Sequence, residues 1–261
     1  MPKSLFEDVK ICLSVLTRFP VTTSLSTLPE DGEDKLKRIG KAYRAAPVVG
    51  LIAGVVGAFA YLVGSSMTGS PVYLAAVMAV GAQLLITGGS QEIGFSKVIS
   101  LRPHPSADQN GHDESAGVAA GTLATMIMML LKIFLIGELA TPWAAGMGLI
   151  ASAALGRAAQ VQLMAFSSDN SSAQPSKVDA TTSMVVGAAI GGAALLFASG
   201  LQFYLPVIGA VIGIAISTLV FFGFTKSRHH LDNLNVKEAL SLVVEIGALY
   251  GIVELMPVGF N

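Results

Sequence analysis

The stretch PVVGLIAGVVGAFAYLVGSSM, residues 47–67, decides the fold of this chain because it contains no charged side chain over its whole length. About 20 consecutive apolar residues in a helix are enough to cross the roughly 30 Å hydrocarbon core of a bilayer. Because lipid offers the backbone no hydrogen-bond partner, such a run has to be helical. Residues 47–67 are therefore predicted to form a transmembrane helix.

The rest of the chain repeats this pattern. It has 261 residues, of which 52% are hydrophobic and only 13% are charged, whereas soluble domains carry about 25% charged residues. We predict an all-α, polytopic helical membrane protein with about seven transmembrane helices. The six further apolar runs are 72–89, 118–139, 143–166, 183–203, 204–224 and 238–256.

The cationic residues indicate the orientation. Apart from Lys132 and Arg157, every Lys and Arg lies before the first run or in every second gap between runs. Cytosolic loops are enriched in Lys and Arg, so the N-terminus is predicted to be cytosolic, in a multi-pass protein of the cell (inner or plasma) membrane. The predicted organisation is a cytosolic or interfacial segment 1–46 and a helical membrane domain 47–261 with cytosolic loops 90–117, 167–182 and 225–237.

The N-terminal segment is predicted to contain an amphipathic helix. Leu5, Val9, Cys12, Leu13 and Leu16 recur at helical spacing with charged residues between them. This pattern is typical of a helix that lies in the membrane interface. A helix that packs against other cytosolic parts of the chain has the same pattern, so both interpretations stay open.

Charged residues inside the apolar runs are costly and are therefore candidates for function. We predict that Arg157 and Glu245 pair, directly or through water, either as a structural ion pair or as a site for an anionic substrate. Lys132 is predicted to extend toward the outer interface, because long cationic side chains reach water in this way.

The predicted loop 90–117 is the richest in polar side chains, and His104, Asp108, His112, Asp113 and Glu114 could bind Mg²⁺ or Zn²⁺. A solvated polar loop explains the same composition. The net charge of −1 gives no field that would attract nucleic acid. Cys12 is the only cysteine, which excludes an intrachain disulfide.

Several short motifs together resemble one family, the cobalamin synthases or adenosylcobinamide-GDP ribazoletransferases. The segment Leu16-Thr17-Arg18-Phe19-Pro20-Val21 resembles the family's N-terminal signature. The other similar segments, in the same order and spacing, are residues 47–54, the Thr87-Gly88-Gly89 motif with Glu92 and Gly94, residues 115–132 and residues 156–159.

The resemblance implies a late step of cobalamin assembly. Family members join GDP-activated adenosylcobinamide to α-ribazole or its 5′-phosphate and release GMP, usually with Mg²⁺. By this resemblance Glu92 and Glu114 would be the metal ligands, and Arg157 and Ser115 would be catalytic. The implied partners are membrane lipid, corrinoid and nucleotide-type substrates, and a homo-oligomer or a complex with other cobalamin assembly enzymes.

The chain departs from the family pattern within the main polar motif. Gln91 stands where the family has His, and Ile93, Lys97 and Ser100 stand where it has Asp. One alternative is therefore a catalytically inactive homologue that binds a corrinoid or nucleotide or scaffolds partner enzymes. A small-molecule transporter is the other, and the low polarity of most of the runs disfavours it.

Overall fold

The protein is described here by a computed structural model over residues 2–18, 32–67, 71–100, 112–139, 141–166, 173–199, 204–225 and 234–256. These residues form helices and a few turns, with no strand among them. The predicted all-α class is confirmed. The helices are α1 (Pro2–Leu16), α2 (Gly32–Ala42), a 3₁₀ turn (Tyr43–Ala45), α3 (Ala46–Ser66), α4 (Val72–Thr87), α5 (Ser90–Ser100), α6 (His112–Gly137), α7 (Pro142–Phe166), α8 (Lys177–Ser199), α9 (Tyr204–Thr225) and α10 (Leu234–Leu255).

The helices of membrane-spanning length support a multi-pass protein, but the count of seven is not confirmed. Five described helices are long and apolar enough to cross a bilayer, and α4 with α5 would make a sixth as one broken span. The first is the continuous helical segment Glu33–Ser66, which includes α3, and the second is Ala116–Gly137 within α6. The other three are Pro142–Phe166, Lys177–Ser199 and Tyr204–Thr225. Helix α10, the predicted seventh span, differs from them because it carries Lys237, Glu238, Glu245 and Glu254.

The inside and the outside of the bundle differ as expected for a protein in lipid. Helices α7 and α10 are central, and most of their side chains are buried. Helices α6 and α9 turn large apolar side chains outward, with Leu123 exposed by 61% and Leu219 by 72%. Soluble monomers rarely expose extended apolar surface, so these faces are suited to contact with lipid.

Small residues allow the central helices to approach closely. Pairs spaced four apart, such as Gly50 and Gly54, predict close packing between membrane helices. In the structure, Gly50 and Gly54 of α3 lie directly against the backbone of α7, where a Cβ on Gly50 would be 2.5 Å from the Ala153 carbonyl oxygen. Gly209 and Gly213 of α9 pack in the same way against α10, which confirms the prediction.

Helix α1 packs on the bundle through one face. Ile11, Cys12 and Leu16 are buried in a cluster with residues of α3, α7 and α8. The fully buried Asp8 carboxylate accepts hydrogen bonds from Arg38 and Arg44, with a distance of 2.7 Å from the Arg44 Nε. Of the two interpretations of this helix, packing against other parts of the chain therefore holds for this face of α1. An interfacial position remains a prediction, supported by the exposed apolar side chains of Leu5, Phe6 and Val15 on the same helix.

Candidate active site

A sharp bend between α4 and α5 builds one side of the candidate site. Gly88 and Gly89 have φ angles of 69° and 68°, a left-handed conformation that glycine adopts without the steric penalty of a Cβ. The Gly88 N–H donates to the Leu84 carbonyl and ends α4, as a C-cap glycine does. The axis of α5 then runs at 87° to α4.

The bend turns polar side chains of α5 into the bundle. Residues 90–100, predicted as the first part of a solvated loop, form a helix in which Gln91 and Glu92 are buried. Only Ile93 and Lys97 are exposed. The glycine pair thus lies between the end of one helix and the start of the next.

The inward side chains meet in a small cavity between the helices of the bundle. Its volume is about 10 Å³, which is room for about one water molecule. Polar groups from five helices line it, together with small residues of α3 and α7. The lining residues are Gly50, Ala53, Gln83, Thr87, Gln91, Glu92, Lys132, Ala153, Arg157 and Glu245.

The cavity contains an ion pair that the sequence analysis did not predict. The Lys132 Nζ lies 2.7 Å from the Glu245 Oε1, and both side chains are 3% exposed. The prediction that Lys132 extends to the outer interface is therefore wrong. A lysine amine buried this deeply needs a carboxylate partner, because an isolated charge in a medium of low dielectric constant is costly.

Arg157 lies in the same cavity and has a different first partner from the one predicted. Its Nη1 donates to the Gln160 Oε1 at 2.9 Å, while its Nη2 is buried with no hydrogen-bond partner in the described structure. The predicted direct pairing with Glu245 is not what the described residues form. Because both residues line one cavity that accommodates a water, pairing through water stays a prediction.

Two glutamines complete the polar lining. The Gln91 Nε2 donates to the Ser241 Oγ at 2.6 Å and ties α5 to α10. Both amide atoms of Gln83 are buried without a hydrogen-bond partner in the described part of the chain. Sequence reasoning missed Gln83, although a glutamine within an otherwise apolar run is itself a signal because a polar group in lipid needs a partner.

Of the two predicted metal ligands, Glu92 and Glu114, the structure describes the side chain of Glu92. Glu92 lines the cavity, and its Oε2 has no hydrogen-bond partner among the described residues. Glu114 and Ser115 belong to α6, but their side chains lie outside the description. The predicted metal candidate Asp108 and its neighbour His104 also lie outside the described residues.

The described donors around Glu92 do not fit a Mg²⁺ ion. Mg²⁺ favours several hard oxygen ligands and no adjacent cations. Here Glu92 is near Lys132 and Arg157, and the second carboxylate, Glu245, is occupied by Lys132. Among the described residues, no group of three His, Cys, Asp or Glu side chains could hold a metal. No chemical step is therefore assigned to a metal at this cavity.

These features define an integral membrane protein with charged side chains enclosed at the centre of its helical bundle. The family model described as cobalamin-5-phosphate synthase matches residues 8–96. The chain belongs to the adenosylcobinamide-GDP ribazoletransferase family, because it is 31% identical to the enzyme of that name from Azorhizobium caulinodans over 94% of both chains.

Other relatives carry the same name. The chain is 28% identical to the adenosylcobinamide-GDP ribazoletransferase of Mesorhizobium japonicum, over 90% of this chain and 85% of the relative. It is 26% identical to that of Sinorhizobium medicae, over 95% of this chain and 97% of the relative. No solved structure matches the chain.

Proposed function

We propose that this chain is an adenosylcobinamide-GDP ribazoletransferase. In this reaction a hydroxyl oxygen of α-ribazole, or of its phosphate, bonds to the phosphorus on the cobinamide side of the diphosphate. The bond from that phosphorus to the bridging oxygen breaks, and GMP leaves with that oxygen. The attacking hydroxyl gives up its proton.

The observation that carries this proposal is the meeting of Arg157, Lys132 and Glu92 at one buried cavity, in a chain that aligns with ribazoletransferases over nearly its whole length. Phosphoryl transfer needs positive charge near the transferring group and a fixed orientation of the reactants. The Arg157 Nη2 has no hydrogen-bond partner in the described part of the chain and could donate to a phosphoryl oxygen, and a planar guanidinium suits such an oxygen.

The other charged residues have supporting roles in this proposal. Lys132 adds a second positive charge, and the Glu245 carboxylate holds the amine in place at 2.7 Å. The Glu92 Oε2 has no hydrogen-bond partner within the described ranges, and this carboxylate is suited to accept the proton of the attacking hydroxyl as a general base. A positioned base of this kind contributes about 10²–10⁴-fold to a rate.

Substrate access requires that the bundle open at α5. The cavity volume of about 10 Å³ is too small for a diphosphate group. Helix α5 is short, follows two glycines with positive φ angles, and packs between α6 and α10. A rotation about this bend would separate Glu92 from Arg157 and admit the phosphoryl group between them.

We infer that the protein lies in the cell inner membrane with its N-terminus in the cytosol. The support is the restriction of Lys and Arg to alternate gaps between the apolar runs, in keeping with the excess of cations in cytosolic loops. The corrinoid and the nucleotide would then approach from the cytosolic side. A homo-oligomer or a complex with other cobalamin assembly enzymes remains a proposal of the same kind.

The proposed function is tested with purified protein in nanodiscs, using adenosylcobinamide-GDP and α-ribazole and measuring GMP release and cobalamin formation. Arg157→Gln should reduce the rate of turnover by at least about 10²-fold, as expected when a charge-stabilising group is lost. Lys177→Gln, which removes an exposed cation at the start of α8, is the control and should retain activity. Absence of turnover in the wild type, with both substrates bound, would instead indicate a non-catalytic homologue.

A further inference from the structure

A second, larger cavity lies beside the first and is lined by α5 and α6. This groove has a volume of about 410 Å³, within the roughly 300–1,000 Å³ range of small-molecule sites. Its lining is apolar at Ile93, Met126, Met129 and Leu130, with hydroxyl groups at Ser96, Thr122 and Thr125. Glu92 lines both this groove and the small cavity that also contains Lys132, Arg157 and Glu245, which we call the charged cavity.

Glu92 gives the groove a polar end with an unfilled hydrogen-bond position. The residue is 9% exposed, and its Oε2 has no partner among the described residues. The Thr122 and Thr125 hydroxyls donate to carbonyls of their own helix at 2.9 Å, so their lone pairs remain available as acceptors. One side of the groove can thus receive hydroxyl groups, while the other can receive an apolar ring.

We propose that this groove binds the acceptor substrate, α-ribazole, with a ribose hydroxyl directed at Glu92. The inference rests on the proposed function. α-Ribazole is an uncharged nucleoside with an apolar bicyclic base and several hydroxyls, which matches a groove with apolar side chains, hydroxyls and one carboxylate. The ribose hydroxyl would give its proton to Glu92 as the hydroxyl oxygen bonds to phosphorus. The cations of the charged cavity would hold the phosphoryl group on the other side of Glu92.

The two alternative substrates and a lipid chain match the groove less well. A guanine nucleotide carries several negative charges, and the groove presents Glu92 and no cation among its lining residues. The corrinoid ring system is too large for the volume of about 410 Å³. A lipid acyl chain would leave the buried Glu92 Oε2 without a hydrogen-bond partner among the described residues, which is costly in an apolar environment.

The test is direct binding of α-ribazole to the purified protein in nanodiscs by isothermal titration calorimetry, without the GDP-activated substrate. Thr125→Trp should fill the groove and raise the Kd for α-ribazole by about tenfold or more, which is about 1.4 kcal/mol or more. Leu123→Trp is the matched control, because Leu123 is on the same helix, is 61% exposed and does not line the groove. Its Kd should equal that of the wild type.

Equal Kd values for the two tryptophan variants would overturn the proposal, as would release of a bound lipid by Thr125→Trp with no effect on α-ribazole. If Thr125→Trp fails to fold, a photoreactive azidobenzimidazole riboside is cross-linked to the wild type instead. Labelled peptides from α5 and α6 support the proposal, and labels confined to other helices contradict it.

The results can contradict the assignment of the groove without contradicting the proposed function, and the reverse. If the wild type turns over and Thr125→Trp has an unchanged KM for α-ribazole, the groove assignment is wrong and the function stands. If the wild type shows no turnover but its α-ribazole binding is lost in Thr125→Trp alone, the function is wrong and the groove stands.

Discussion

The Lys132 Nζ and the Glu245 Oε1 lie 2.7 Å apart in the centre of the bundle and join α6 to α10. The two side chains are almost completely enclosed, so neither charge is screened by water. Removing one member of such a pair leaves the other charge uncompensated, which costs about 3–5 kcal/mol in buried pairs. The pair is thus an essential connection between these two helices.

We predict that Lys132→Met and Glu245→Gln each lower the midpoint of thermal unfolding in detergent, while the double variant Lys132→Met with Glu245→Gln recovers part of the loss. The recovery is expected because neither charge is then buried alone. A loss in the double variant equal to the sum of the two single losses would show that the residues do not interact.

Gly88 provides a second test, at the bend that positions Glu92. A Cβ at this left-handed position costs about 1–2 kcal/mol and would also collide with the Arg18 side chain. We predict that Gly88→Ala destabilises the protein and lowers activity, measured by thermal unfolding and GMP release. Gly81→Ala is the control on α4, since a Cβ there has no neighbour within 4 Å, and it should behave as the wild type.

The contact between α9 and α10 depends on glycine in a similar way. A Cβ on Gly213 would overlap the Gly247 carbonyl group, so Gly213→Ala should force the two helices apart. Overpacking of this kind costs about 1–3 kcal/mol. The matched control is Gly223→Ala in the same helix, where a Cβ has open space. Similar unfolding temperatures for the two variants would contradict the observed helix approach.

Cys12 should be unreactive in the folded protein. Burial, together with the nearby Asp8 carboxylate, raises the pKa of its thiol to about 12. The reactive thiolate is therefore scarce below that pH, and the side chain is enclosed. We predict that N-ethylmaleimide at pH 8 modifies Cys12 much more slowly in the native protein than after denaturation, as measured by intact-protein mass spectrometry. Rapid native labelling would show that α1 detaches from the bundle.

The sequence predicted those features that depend on local composition. Apolar runs predicted the long helices, and the four-residue spacing of glycines predicted close packing between helices without specifying the partner helix. The sequence could not predict that Lys132 pairs with Glu245, because the pairing depends on how deep each residue lies in the bundle, which the bounds of the apolar runs do not fix. Helix α6 begins at His112, six residues before the predicted run starts at Val118.

The candidate site was predictable in part. Intramembrane charge and family resemblance both indicated Arg157, and resemblance alone indicated Glu92. Gln83 and the burial of Gln91 were not predicted, since they depend on how α4, α5 and α10 come together. The Gly88-Gly89 pair favours a loop as well as a helix-to-helix bend, and the difference lies in packing of α5 against the bundle rather than in local propensity.

Substitution of Glu92 can show whether this residue acts as a general base or as a metal ligand. We predict that Glu92→Gln, which keeps the shape of the side chain but removes its charge, lowers turnover by about 10²–10⁴-fold and that added Mg²⁺ does not restore it. The physical reason is that Lys132 and Arg157 already supply positive charge next to Glu92, whereas the amide cannot accept the proton.

The control for this experiment is Glu114→Ala, the other residue that resemblance implies as a metal ligand. GMP release is measured over a Mg²⁺ titration for both variants and the wild type. If Glu92 and Glu114 share a metal, both variants should need more Mg²⁺ for half-maximal activity, and high Mg²⁺ should rescue Glu92→Gln. That result would return Glu92 to the metal site. Loss of turnover in Glu92→Gln at every Mg²⁺ concentration, with binding of α-ribazole retained, is the outcome expected of a base at the junction of the charged cavity and the groove.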